Sequence, residues 1–416
     1  MSAQQTFVIV GAGLAGAKAA EALRDNGFDG KVILIGDETD RPYDRPPLSK
    51  GYLLGSTERE KIDIHPAQWY LDHDIDLRLG TRVTGIDCAA HTVSTAQGLS
   101  LAYDKLLLTT GSTPRRLEVP GANLAGVHYL RKATDSDALR SAFASAQRVA
   151  IIGAGWIGLE TAAAARAAGC QVTLIERAQL PLLAVLGAEV AETYAALHRD
   201  HDVELRPNAA VAEIVGDAGQ VTGVRLAAGE VVTADAVVVG VGIAPNTDLA
   251  AAAGLPVDNG IVADEHLATA DPDVYAAGDV ANSYYPRLGT HLRLEHWSAA
   301  LNQGPVAAAN MMGTVTSYDH VPYFFSDQYD CGMEYSGYVG PDGYDAVVFR
   351  GHVASGEFIA FWLRDERVLA GMNVNIWDVT DAIQALVRSD ARVDPARLAD
   401  PGVPLTSLAG NTTRDQ

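Results

Sequence analysis

The chain of 416 residues has three cysteines, and they are scattered at Cys88, Cys170 and Cys331. None forms a C-x-x-C pair or sits in a Cys/His cluster, which excludes a dithiol relay, a disulfide framework and a thiolate zinc site. Each reads as a reduced, partly buried small side chain. The eleven histidines add no metal pattern; His291 and His296, five apart, do not share a helix face and read as ordinary polar residues. Lysine is missing after Lys132, although arginine continues to Arg414. With 31 basic against 52 acidic residues the net charge is −21, which excludes a nucleic-acid partner, since phosphate binding needs a Lys/Arg surface. The deficit is sharpest in residues 241–320, where Arg287 and Arg293 are set against nine acids. No apolar run reaches the roughly 18–20 residues of a membrane span. No basic segment precedes the first apolar strand, so neither a membrane anchor nor a signal peptide is expected, and the expected compartment is cytoplasmic.

What is present is a soluble globular composition, 48% hydrophobic and 20% charged, with length for two or three domains. Two Gly-x-Gly-x-x-Gly runs stand out. The first is Gly11, Gly13 and Gly16, after the strand-like Phe7–Val10 and opening an Ala-rich helix through Leu14 and Ala15. The second is Gly153, Gly155 and Gly158, after Val149–Ile152, with Trp156 and Ile157 between its last two glycines. Each is followed by a further strand ending in acid: Val32–Ile35 then Asp37 and Glu38, and Val172–Ile175 then Glu176. That is the βαβ dinucleotide signature, twice. The glycines permit a tight turn and let backbone N–H groups approach a pyrophosphate, while the acid accepts from a ribose diol. A chain holding two dinucleotides passes a hydride between them. The bland alternatives are a glycine turn kept for packing, or one vestigial fingerprint.

Between these units lies the loop Arg41–Lys50, barred from helix until after Pro47. Val83–Val93 and Leu106–Leu108 read as strands, and Gly111–Gly121, with Pro114 and Pro120, as a linker. Val221–Leu226 and Ala236–Val239 continue the second unit. Ala299–Met312 reads as a helix. Residues 321–410 are strand-rich, at Val347–Phe349, Phe358–Leu363 and Val368–Val374, with a helix at Thr380–Arg388; Gly410–Gln416 is a polar tail.

Further signatures coincide: Tyr103–Gly111, Val237–Pro245 and Tyr275–Asp279. With them the chain resembles the two-dinucleotide flavoproteins, over nearly its whole length. Arg41–Lys50, Gly155–Glu160, Glu295–Trp297 and Pro322–Tyr329 make it similar, within that family, to the NADH:ferredoxin reductases of oxygenase systems. The resemblance implies an α/β fold of two Rossmann-type domains plus an α+β C-terminal domain. FAD would bind a discontinuous domain, 1–112 and 245–320, NAD the domain 113–244, and 321–410 would form the C-terminal domain. It implies an enzyme that passes electrons from NADH through FAD, one at a time, to a 2Fe–2S ferredoxin serving a cytochrome P450 or other oxygenase. No metal site of its own and a monomeric state are expected. Relatives that reduce disulfides or peroxides carry cysteine in the segment matching Leu48-Ser49-Lys50, so here electrons leave the flavin directly.

By the same resemblance Lys50 lies at the flavin N5/O4 edge, and Glu160 pairs with it and borders the nicotinamide. Asp279 would bind the ribitol chain and Asp37 or Glu38 the FAD ribose. Arg45, Pro46, Val83, Thr110, Gly111, Arg131, Glu295 and Trp297 would complete the FAD site. Gly242 would join the second fingerprint and Glu160 at NAD, and Glu176, suited to a free ribose diol, favours NADH over NADPH. Other readings stay open: Lys50 as a solvated loop lysine, Glu160 as a helix-start acid, Asp279 as a turn residue, Trp297 as a core aromatic. Rubredoxin reduction, an NADH oxidase and a non-enzymatic FAD/NADH redox sensor share these motifs. Close relatives carry tryptophan where Tyr323 and Phe325 stand, and the loop Thr314–His320 holds no Lys or Arg, which leaves Arg287 and Arg293 as the expected docking cations.

Overall fold

Short aliphatic runs with no polar alternation can be strands only where both faces are covered, as in parallel sheets. In a computed structural model, which describes residues 4–409, two such sheets form, one in each of two compact units. The polar tail Gly410–Gln416 lies outside the described residues.

The first unit takes Met1–Pro47, Thr57–Thr113 and Ile243–His320. Its parallel sheet runs in the order Val274–Ala276, Lys105–Leu108, Thr6–Val10, Lys31–Ile35, Ile75–Arg78. One edge strand therefore comes from the far side of the second fingerprint, and with it the Ala-Gly-Asp279 turn. The helix Leu14–Asp25 buries Ala15, Ala19, Ala20 and Leu23 and packs against Trp297–Met311. The approach is close because the residues are small: a Cβ at Gly304 would stand 2.4 Å from the Ala15 carbonyl oxygen. The strand expected over Val83–Val93 is instead a hairpin, Val83–Asp87 and Thr92–Thr95. Asp87 Oδ1 accepts from Ala90 N at 2.9 Å and His91 takes φ +50, so local turn chemistry overrides the alternating pattern.

The second unit takes Leu48–Ser56, Pro114–Gly242 and Val321–Gln416. Its parallel sheet is ordered Val203–Arg206, Gln171–Ile175, Arg148–Ile152, Ala236–Val239, Val127–His128. A second, antiparallel sheet follows the order Tyr323–Gln328, Cys331–Gly337, Arg367–Val374, Glu357–Arg364, Ala346–His352. The helix Thr380–Ser389 covers it with Ile383 and Leu386. The residues from 321 onward thus have their own sheet, yet Met333, Trp362 and Met372 share one core with Leu174, Leu186 and Val190. Trp362, fully buried, donates Nε1–H to Leu186 O at 3.0 Å. Helices at Ala133–Ser145 and Leu183–Asp200, which no sequence signal singled out, complete the covering layers.

Candidate functional site

The two fingerprints fold alike. Gly11 (φ +120) and Gly153 (φ +98) need the absence of a side chain, because a Cβ would stand 2.1 Å from Thr109 O and 2.3 Å from Gly240 O. Gly16 and Gly158 are pressed on the same turns, 2.1 Å and 2.0 Å from the carbonyl oxygens of Gly11 and Gly153. Gly13 and Gly155 differ: a Cβ there meets nothing within 4 Å. The protein's own packing does not require these two glycines, and the space beside each is open. Each precedes a helix, Leu14–Asp25 or Trp156–Ala167, whose first N–H groups receive no side-chain cap from it. A phosphate matches that cradle in size, charge and hydrogen bonding.

In the first unit the acid after the second strand is resolved into two roles. Asp37 is exposed, whereas Glu38 is half-buried and accepts from Arg45 Nη2 at 2.9 Å and Tyr43 OH at 2.7 Å. Burial opposes the charge on Arg45, but Tyr43, Glu38 and Asp279 outweigh it and hold its pKa above the ordinary arginine value. Asp279 follows Gly278 (φ +77), whose N–H is taken by Gln303 Oε1 at 2.8 Å. The Asp279 carbonyl accepts from Arg293 Nη1 at 3.2 Å. Trp297 donates Nε1–H to Asp44 Oδ1 at 2.8 Å, which fixes its ring. Thr110 exchanges bonds with Asn246, Oγ1 to O at 2.8 Å and O from Nδ2 at 2.7 Å, beside Gly111 (φ +65). Val83 is buried, and Glu295 is exposed and pairs with Arg293 at 2.7 Å. The same unit holds Pro46. His296, read as an ordinary polar residue, is not one: burial pushes its pKa down to about 4, against the pull of Asp279. Arg293 is also not a free docking cation, since only 7% of its side chain is exposed. Arg287 is spoken for as well, pairing with Asp319 at 3.0 Å.

Lys50 and Arg131, assigned to FAD by resemblance, fall within the second unit. There Glu160, 4% exposed, accepts from Lys50 Nζ at 2.7 Å, from Ser326 Oγ at 2.6 Å and from Ser49 Oγ. Neither the solvated-lysine nor the helix-surface reading survives this burial. Phe325 lies beneath the ammonium, 5.5 Å from Nζ to the ring centroid. Arg131 stands at the start of Ala133–Ser145, where Asp135 Oδ2 accepts from its N–H at 3.0 Å. Trp156 stands edge-on to Tyr194 at 5.5 Å and tilts against Phe324 at 5.2 Å, while Ile157 is 43% exposed on the first turn. Gly242 (φ +94) accepts Arg115 N–H at 2.9 Å. The carboxylate of Glu176 is clamped by Ala154 N at 2.7 Å and Ala178 N at 2.8 Å. It lines a shallow cleft with Ala154, Pro181 and Arg206. Arg206 is committed to Glu204 and Glu230, so its charge at the cleft is already balanced. Sequence reasoning missed Ser49, Ser326, Asp44, Asn246 and Gln303; the two serines lay inside quoted motifs, but nothing local shows that they reach one carboxylate.

Two parallel-sheet units, each opening on a glycine cradle with an acid after the second strand, define the class of two-dinucleotide oxidoreductases. The chain belongs to the pyridine nucleotide-disulphide oxidoreductase family, whose model matches residues 5–304, and a reductase C-terminal model matches 323–409. Rhodocoxin reductase of Rhodococcus erythropolis is 42% identical over 395 residues, covering 95% of this chain and 92% of that one. A rubredoxin-NAD(+) reductase of Pseudomonas putida is 36% identical over 370 residues, covering 89% and 96%. Among solved structures, the covalent putidaredoxin reductase–putidaredoxin complex matches with a TM-score of 0.94 at 36% identity, covering both chains fully. The cysteines Cys88, Cys170 and Cys331 are all free, and none lies in the Leu48-Ser49-Lys50 segment.

Proposed function

We propose that this chain is an NADH-dependent reductase that delivers electrons through FAD to a ferredoxin. The observation that carries the reading is the strand–glycine turn–helix arrangement built twice, with Gly13 and Gly155 leaving open space at a helix N-terminus. When bound, FAD supplies hydride acceptance and the release of electrons one at a time. The chain's own residues supply position and charge. In the first unit Gly11, Gly13 and Gly16 shape the FAD cradle, Glu38 is the ribose acceptor, and Asp279 is aimed by the Gly278 turn. In the second, Glu176 accepts from the NADH ribose diol and disfavours a 2′-phosphate. Lys50, held by Glu160, is the cation assigned to the electron-rich reduced ring. An ammonium held in place by a carboxylate can stabilise negative charge that develops nearby.

The finer assignments are a 2Fe–2S ferredoxin, an oxygenase such as a cytochrome P450 behind it, a monomer and a cytoplasmic setting. Among the described residues no helix is long and apolar enough to cross a membrane. Rubredoxin is the second acceptor to test, because a rubredoxin reductase is among the relatives. Anaerobic stopped-flow reduction of the purified flavoprotein by NADH, then turnover with a panel of ferredoxins and rubredoxins, decides. Fast reduction with ferredoxin turnover is expected. Slow reduction with no protein acceptor would favour a redox sensor.

A further inference from the structure

A carboxylate can only accept hydrogen bonds, and that fixes the direction of every bond behind Glu160. Ser326 Oγ stands 2.6 Å from Glu160 Oε1, so its hydroxyl hydrogen points there. The serine oxygen must then accept, and the Gln328 atom 3.1 Å from it is the amide nitrogen. This turns Gln328 Oε1 toward His198 Nε2 at 2.9 Å, so Nε2 carries the ring hydrogen. Nδ1 is left as an acceptor, and the Tyr329 hydroxyl lies 3.4 Å from it. Four donors in line thus point one way and end on Glu160. The middle of the line is closed to water, with Ser326, Gln328 and His198 between 0% and 2% exposed. Burial also pushes the His198 pKa down to about 4, against its bond to Gln328, so the ring is neutral with a single hydrogen to place.

We propose that Ser326, Gln328 and His198 are positioning residues for the nicotinamide reaction, holding the Glu160 carboxylate in one orientation and thereby seating Lys50. The proposal rests on the role assigned to Glu160 under Proposed function. None of the three reaches a reacting atom; they act through the carboxylate. Packing alone does not explain them. Phe324, two residues before Ser326, already seats the strand Tyr323–Gln328 against Trp156 on the helix that carries Glu160. Three buried polar side chains in that position cost desolvation that leucine or alanine would not. What they add is a fixed order of donors.

The test uses flavin-loaded protein carrying Ser326→Ala, Gln328→Leu, Ser326→Thr or Glu160→Gln, each compared at matched flavin content and melting temperature. Three readouts are taken: the ¹⁵N NMR tautomer of His198, NAD⁺ affinity by titration, and the limiting rate of flavin reduction by NADH. The wild type should show one Nε2–H tautomer, and Gln328→Leu should lose it. Losing its bond to the Glu160 carboxylate predicts about a tenfold slower limiting rate in Ser326→Ala, and Gln328→Leu, which frees the serine that makes this bond, should slow it in the same direction. NAD⁺ affinity should move by less than about threefold, and Ser326→Thr, which keeps the hydroxyl, should restore most of the rate. Wild-type rates in Ser326→Ala and Gln328→Leu beside a slow Glu160→Gln would overturn the positioning role alone. An unchanged His198 tautomer in Gln328→Leu would overturn the donor order. A Glu160→Gln protein with wild-type rate and affinity would instead sink the role of Glu160 itself, and this inference with it.

Discussion

Lys50 and Glu160 are opposite charges removed from water together, and such a pair is kept where its geometry is used rather than for stability. The same logic of a carboxylate fixed by donors applies at Glu176. Its two backbone donors hold it at the cleft, so Glu176→Ala should narrow the preference for NADH over NADPH. A tenfold loss of discrimination in kcat/KM corresponds to about 1.4 kcal/mol. Equal use of both nucleotides by the wild type would refute this. Asp279→Ala should lower flavin content per chain, read from the ratio of flavin to protein absorbance; full occupancy would remove Asp279 from the site. His198 adds a pH dependence whose sign is fixed. Its folded pKa, about 4, lies below the ordinary histidine value of 6.5, so between these values the unfolded chain binds the extra proton. Stability from this group is full above pH 6.5 and is lost as pH falls toward 4, at about 1.4 kcal/mol per pH unit. The urea midpoint should therefore drop less steeply over that window in His198→Gln than in the wild type.

At the scale of elements, the two strand–turn–helix cradles separate glycines that the fold requires from glycines that it does not. Gly158→Ala drives a methyl into the Gly153 carbonyl, and such overpacking costs about 1–3 kcal/mol. The melting temperature should fall by several degrees. Gly155→Ala meets nothing in the chain and keeps an extended backbone at φ −79, so it should melt like the wild type while raising the KM for NADH. If both variants behave alike, the distinction fails. These cradles were legible in the sequence because their spacing is local, and so were the helices Trp297–Met311 and Thr380–Ser389, displaced by at most two residues from expectation. The donors on Glu160 were not, because Ser49 and Ser326 lie 111 and 166 residues from it. Burial of His296 and Arg293 was invisible for the same reason: it is made by elements distant in the chain. The Val83–Val93 pattern misled because a single Asp87 side chain turns the strand back on itself.

Taken whole, the molecule carries net charge −21, and the two arginines expected to relieve it locally are paired with Glu295 and Asp319. An acidic ferredoxin therefore meets repulsion at long range, which ions screen within about 10 Å at 0.1 M. Ferredoxin reduction should accelerate as salt rises through that range, while flavin reduction by NADH changes little. Slowing instead would reveal a basic patch elsewhere. The discontinuity of the first unit has a consequence for its birth on the ribosome. The helix Leu14–Asp25 is made almost at once, but its packing partner Trp297–Met311 and the edge strand Val274–Ala276 emerge only after the second fingerprint has been translated. Until then an alanine-rich face and an open sheet edge have no cover, a state that invites holdase chaperones and aggregation. A ribosome stalled near residue 240 should present a nascent chain that proteases cut within residues 1–113, and one stalled past the last residue should not.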